Sequence, residues 1–166
     1  MRLVRKYLYF ILAGITYLIV HEGVHIIQAL IYGIYKGIKL LPLGVEVEVI
    51  QPLTISGLKL SAFSGLSSIS TMLMGYVLFL LSPVVLKSKK QYLKNYIYYV
   101  TFVFLLLDPI YISILSNFVG GGDINGIALG LHLPYMLVRS VYLIIAILNA
   151  CLIYKKLYPA YVIKKQ

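Results

Sequence analysis

Residues 7–34 form one apolar run long enough to cross a bilayer with some tilt, and its only strongly polar side chains are His21, Glu22, His25 and Gln28. Backbone polar groups in lipid have no water to bond, so such a run is a helix or nothing stable. On a helix, positions 21, 25 and 28 share one face, with Glu22 one position round. Burying two imidazoles and a carboxylate without a task is costly. The rest of the chain is therefore expected to cover that face and feed it.

The chain has 166 residues, enough for a single domain, 1–166. It is 61% hydrophobic and 12% charged, with a mean hydropathy of +0.92, which excludes a soluble domain of this size. Three further apolar runs, 61–86, 95–118 and 134–154, follow the first. The expected fold class is an all-α polytopic membrane protein with four transmembrane helices. The basic start followed by an apolar run superficially resembles a signal peptide. The run is too long for one and carries the polar face, so it is expected to be retained as the first span.

Between the first two runs the pattern changes. Gly37, Pro42, Gly44, Pro52 and Gly57 break helices, and Val45-Glu46-Val47-Glu48-Val49 alternates with a period of two. That alternation predicts a strand, with Leu53-Thr54-Ile55 as its expected partner, so a small β-hairpin should sit at the membrane surface. The second run opens with Ser61, Ser64, Gly65, Ser67, Ser68, Ser70, Thr71 and Gly75, small residues that allow close packing against the first span. The third run contains Asp108-Pro109. Gly120-Gly121-Gly122-Asp123 then leads a short segment to His132, and Pro134 opens the fourth run. The single cysteine, Cys151, has no partner for an intrachain disulfide.

The net charge is +10, from 15 basic and 5 acidic residues. The basic residues flank the apolar runs, which points to membrane topology and anionic headgroups and away from nucleic acid. With four spans, one side carries eleven of them: Arg2, Arg5, Lys6, Lys87, Lys89, Lys90, Lys94, Lys155, Lys156, Lys164 and Lys165. The other side carries three, Lys36, Lys39 and Lys59, while Arg139 lies within the fourth run. The charge rule then expects a multi-pass protein of the cell membrane with both termini cytoplasmic and the hairpin and glycine segment outside.

His21-Glu22-Gly23-Val24-His25 is an HExxH motif. On a helix it puts two imidazoles one turn apart, spaced to share a tetrahedral zinc ion. The intervening glutamate can take a proton from activated water and return it to a leaving amine. In a chain with so few His and acidic residues, a chance match is roughly a one-in-a-thousand event. The bland alternative is a set of polar groups satisfied between helices.

With this motif in its first span, a strand-like insertion after it, a Ser/Gly-rich second span and an aspartate near the third, the chain resembles the site-2 protease family of intramembrane zinc metalloproteases. The resemblance covers most of the chain, though only the HExxH is a specific motif. It implies peptide-bond hydrolysis in or near the membrane, Zn2+ as cofactor, His21, His25 and one aspartate as ligands, and Glu22 as general base. It also implies a site opening toward the cytoplasm, opposite to the charge count. The family's usual third-ligand signature, an Asp-Gly after an Asn/Pro-rich stretch, is absent in that form.

Two aspartates are candidates for the third ligand. Asp123 follows three glycines and precedes a new segment, its ordinary role being a helix N-cap. Asp108 lies at the same depth as the His pair and precedes a helix-opening proline, its ordinary role being a hydrogen bond to a ligand imidazole. Asn117 and Asn125 could donate to a substrate carbonyl or bond within their loop. The strand around Val47 could hold an unwound substrate by backbone pairing, with Glu46 and Glu48 on its solvated face. His132 reads as interfacial. The function expected is a zinc metalloendopeptidase acting on a single-span membrane protein or membrane-bound peptide. The alternative is a non-proteolytic zinc-binding adaptor or pseudoprotease.

Overall fold

In the computed structural model, which describes residues 2–41, 44–119 and 122–162, helix α1 runs Arg2–Ile31. Four helices are long and apolar enough to span a membrane: Val4–Ile31, Gly57–Lys87, Gln91–Phe118 and Tyr135–Tyr161. The all-α four-span architecture is therefore as the hydropathy requires. Pro42, Gly120, Gly121, Lys164 and Lys165 lie outside the described residues.

Helix α1 stops where its sequence can no longer continue it. Gly33 adopts φ +67°, Ile34 N donates to Ala29 O at 2.9 Å and Gly33 N donates to Leu30 O at 3.2 Å. These paired bonds close the last turn around a residue that has no Cβ to clash. The chain then enters strands β1 (Tyr35–Leu41) and β2 (Gly44–Val49). They pair antiparallel, Ile38 opposite Val47 and Leu41 opposite Gly44, with an irregularity between Tyr35 and Gly37. Val47 buries its side chain with Ala29, Ile34 and Ile55, which pins the hairpin to the end of α1.

The hairpin corrects one expectation. The partner of β2 is the preceding segment 35–41, not Leu53-Thr54-Ile55, which forms no strand. The connection between Leu41 and Gly44 is short enough for direct antiparallel return, whereas Pro52 lacks the N–H a ladder needs.

Helix α2 (Gly57–Lys87) starts four residues before the apolar run that predicts it. Its buried face is small and polar (Ser64, Gly65, Ser67, Ser68, Thr71, Gly75), while Leu66, Ile69, Leu73, Val77 and Leu80 are exposed outward. This is the packing expected in lipid, where close backbone approach rather than apolar burial holds helices together. Helix α3 (Gln91–Ile110) follows after three residues, so the polar loop is shorter than its charges suggest.

At Pro109 the α3 ladder loses a donor, because Leu105 O would normally accept the N–H of residue 109. Asn149 Nδ2 supplies the missing bond at 2.7 Å, and Tyr76 Oη donates to Asn149 Oδ1 at 2.6 Å. The helix then widens into a π-turn at Tyr111–Leu115 and ends as α4 (Ser116–Val119).

The segment after the glycines is helical, α5 (Gly122–Leu131), and its ten residues are too short to cross the bilayer. It lies against α2. A Cβ on Gly126 would collide with Ser64 Oγ, and one on Gly130 would meet Ser61 N at 2.5 Å and Gly57 O at 2.6 Å. Helix α6 (Tyr135–Leu152), a second π-turn (Ile153–Leu157) and α7 (Tyr158–Val162) complete the fourth crossing. Met72, Ile112, Ile124, Ile127, Val138 and Tyr142 form the core that joins α2, α5 and α6.

Candidate metal centre

Position on α1 decides what the polar face meets. His21, His25 and Gln28 are buried, as their shared face predicts. Tyr17, one turn before His21, is buried with them. Gln28 Nε2 donates to Ala62 O at 3.0 Å and so ties α1 to α2. The His25 ring stacks at a tilt on Phe63, 5.1 Å between centroids.

The two aspartates reach this face from opposite sides. Asp123, in the first turn of α5, has Oδ2 at 3.3 Å from His21 Nε2 and Oδ1 at 3.4 Å from His25 Nε2. Asp108, fully buried on α3, has Oδ1 at 3.2 Å from His21 Nδ1, the far side of the same ring. The structure therefore brings Asp123, His21 and His25 together around one point and sets Asp108 behind His21. One donor atom from each of those three residues lies within 4.8 Å of the other two.

The two nearest approaches are to different carboxylate oxygens, Oδ2 toward His21 and Oδ1 toward His25. A carboxylate and two imidazole nitrogens gathered this closely are a set that could hold a metal ion. The two nitrogens and one carboxylate are also the donor types zinc takes at open sites.

Asp108 sits in a nest of donors. Tyr17 Oη donates to Oδ1 at 2.6 Å, Ser68 Oγ donates to Oδ1 at 3.1 Å, and Thr71 Oγ1 donates to Oδ2. Tyr17 Oη also lies 3.1 Å from His21 Nδ1. Residue-type reasoning alone misses Tyr17, Ser68 and Thr71. The available signal was spacing, because Tyr17 continues the 21, 25, 28 face and Ser68 and Thr71 share the small face of α2. His25 Nδ1 has no hydrogen-bond partner among the described residues.

Glu22 is half-buried beside the His pair, and its carboxylate lies near the Val47 backbone. The general-base candidate and strand β2 are therefore neighbours. The Val47 side chain is buried, so only its backbone can meet a ligand. Asn117 accepts a hydrogen bond from Arg139 Nη2, and Asn125 is exposed on α5. Neither bonds to the His–Asp group among the described residues. His132 is exposed at φ +54° just after α5, away from the buried face.

Searches of protein-family models, curated proteins and solved structures return no match to this chain.

Proposed function

We propose that the chain is an intramembrane zinc metalloendopeptidase of the site-2 type, with His21, His25 and Asp123 as the metal ligands and Glu22 as the general base. The observation that carries this reading is the convergence of His21, His25 and Asp123 on one point, one donor atom from each lying within 4.8 Å of the other two. An HExxH whose glutamate sits half-buried beside that point supports catalysis rather than storage.

Zinc bound there supplies Lewis acidity, which makes water a nucleophile near neutral pH and polarises a peptide carbonyl. The chain's own residues do the rest. The Glu22 carboxylate takes the proton from the attacking water and delivers it to the departing amide nitrogen. The burial of the His pair, 6% and 7% exposed, limits the site to a small number of waters and strengthens each charge interaction. Among the described residues the outer edge of β2 has no strand partner, and it lies next to Glu22. An extended substrate backbone pairing along that edge runs past the general base. The substrate class is a single-span membrane protein or membrane-bound peptide, because a strand edge at a helix end engages a segment already unwound at the membrane surface. The protein resides in the cell membrane with both termini cytoplasmic, by the distribution of its basic residues.

The test is zinc content and cleavage measured on the same detergent-purified samples. Wild-type protein holds one zinc per chain and cleaves reporter single-span substrates. Glu22→Gln keeps the zinc and loses cleavage, while His21→Ala and Asp123→Ala lose both. Undiminished cleavage by Glu22→Gln overturns the mechanism. Stoichiometric zinc in a wild-type protein that cleaves no reporter replaces the protease reading with that of a zinc-binding adaptor.

A further inference from the structure

We propose that Asp108 is the positioning residue that makes His21 a metal ligand: together with the Tyr17 hydroxyl it holds the Nδ1 side of the ring, so that Nε2 is aimed at Asp123 and His25. This rests on the metal-centre reading above and assigns the residue behind it.

Proton bookkeeping leads there. Asp108 Oδ1 receives Tyr17 Oη at 2.6 Å and Ser68 Oγ at 3.1 Å, and Oδ2 receives Thr71 Oγ1. A carboxylate ringed by hydroxyl donors is an acceptor at every lone pair it offers. The single phenolic proton of Tyr17 is committed to Asp108, so toward His21 the Tyr17 oxygen can only accept. His21 Nδ1 has two polar neighbours, Tyr17 Oη at 3.1 Å and Asp108 Oδ1 at 3.2 Å. Both are acceptors, so Nδ1 meets them as a donor. With that side of the ring held, Nε2 is aimed at the point shared with Asp123 and His25.

Three helices hold this arrangement, with Tyr17 and His21 on α1, Ser68 and Thr71 on α2, and Asp108 on α3. The cluster is dry. Asp108, Ser68 and Thr71 are fully buried and Tyr17 is nearly so. A carboxylate placed there without a partner would be costly, and the hydroxyls offset that cost without neutralising it. His25 has no such support behind its Nδ1 among the described residues, so the two imidazoles are not equivalent ligands.

The experiment measures zinc affinity by chelator competition and the 15N spectrum of zinc-loaded, histidine-labelled protein. Asp108→Ala should weaken zinc binding about 10–100-fold, the usual consequence of removing an outer partner of a ligand imidazole. Asp108→Asn keeps one acceptor oxygen and should fall between wild type and Asp108→Ala. Tyr17→Phe leaves the carboxylate beside Nδ1 and should cost less than Asp108→Ala. In the wild-type spectrum, His21 should coordinate through Nε2 with a slowly exchanging Nδ1 proton. That signature does not depend on any variant folding. Wild-type zinc affinity in folded Asp108→Ala, or His21 coordination through Nδ1, overturns the assignment of Asp108 alone. A wild-type protein that binds no zinc removes the metal centre itself.

Discussion

Gly130→Ala is the substitution through which packing far from the metal should reach it. The added methyl carbon would stand 2.5 Å from Ser61 N and 2.6 Å from Gly57 O, both backbone atoms of the first turns of α2. Ordinary contact begins near 3.4 Å, so α5 must retreat by about 0.9 Å, because close-packed backbone does not compress. Asp123 lies on the same short helix, about 10 Å along it. A rigid retreat lengthens its 3.3 and 3.4 Å separations from the His pair to about 4 Å, beyond the about 3.3 Å edge of a zinc tetrahedron. Metal binding then has to pull α5 back against the clash. An overpacking cost of about 1–3 kcal/mol appears as zinc binding weakened about 5–150-fold. Reporter cleavage at limiting zinc should fall by a similar factor, and saturating zinc should restore it. Chelator competition in detergent measures the first effect and turnover the second. Gly14→Ala, where an added Cβ meets nothing within 4 Å, is the matched control. A folded Gly130→Ala protein with wild-type zinc affinity would refute the idea that α5 packing sets the position of Asp123.

Two further substitutions test the scaffold. Asn149→Ala leaves Leu105 O unpaired in the bundle interior and should destabilise by about 1–3 kcal/mol in a reversible unfolding assay. Adding Pro109→Ala restores the backbone donor, so the double variant should recover part of that loss, and strict additivity would refute the pairing. Gly33→Ala forces a side chain into φ +67° at a cost of about 1 kcal/mol. Because the turn aims the hairpin, it should also raise KM for reporter substrates more than it lowers kcat, and an unchanged KM would separate the hairpin from substrate binding.

The four crossings were legible because length and hydropathy suffice for them. The polar face of α1 was legible because helical spacing alone puts His21, His25 and Gln28 together. Depth along the third span made Asp108 a candidate and the run of glycines before Asp123 made it the other. What separates them is direction, Asp108 meeting Nδ1 and Asp123 meeting Nε2, and a one-dimensional count carries no direction. Helix α5 read only as a short segment that Asp123 could cap, because ten residues between glycines and a proline lack the length of a span. The Gly126 and Gly130 pair, four apart and facing the small residues of α2, was the available signal of a packed helix. Strand β2 was clear from its alternation. Its partner was not, because Tyr35–Leu41 is mixed in polarity and carries a glycine where the pairing is irregular.

The side-chain repair at Pro109 also orders events during synthesis. Helix α3 enters the bilayer with the Leu105 carbonyl unpaired, and in hydrocarbon each such group costs several kcal/mol. Its donor, Asn149, is 44 residues further along the chain. A ribosome that has delivered three spans has therefore delivered an unfinished α3, one that favours water, a neighbouring polar group or a chaperone over lipid. The helix that carries Asp108 becomes comfortable in the membrane only when the fourth span arrives beside it. Closure of helix α3 thus waits on the fourth span.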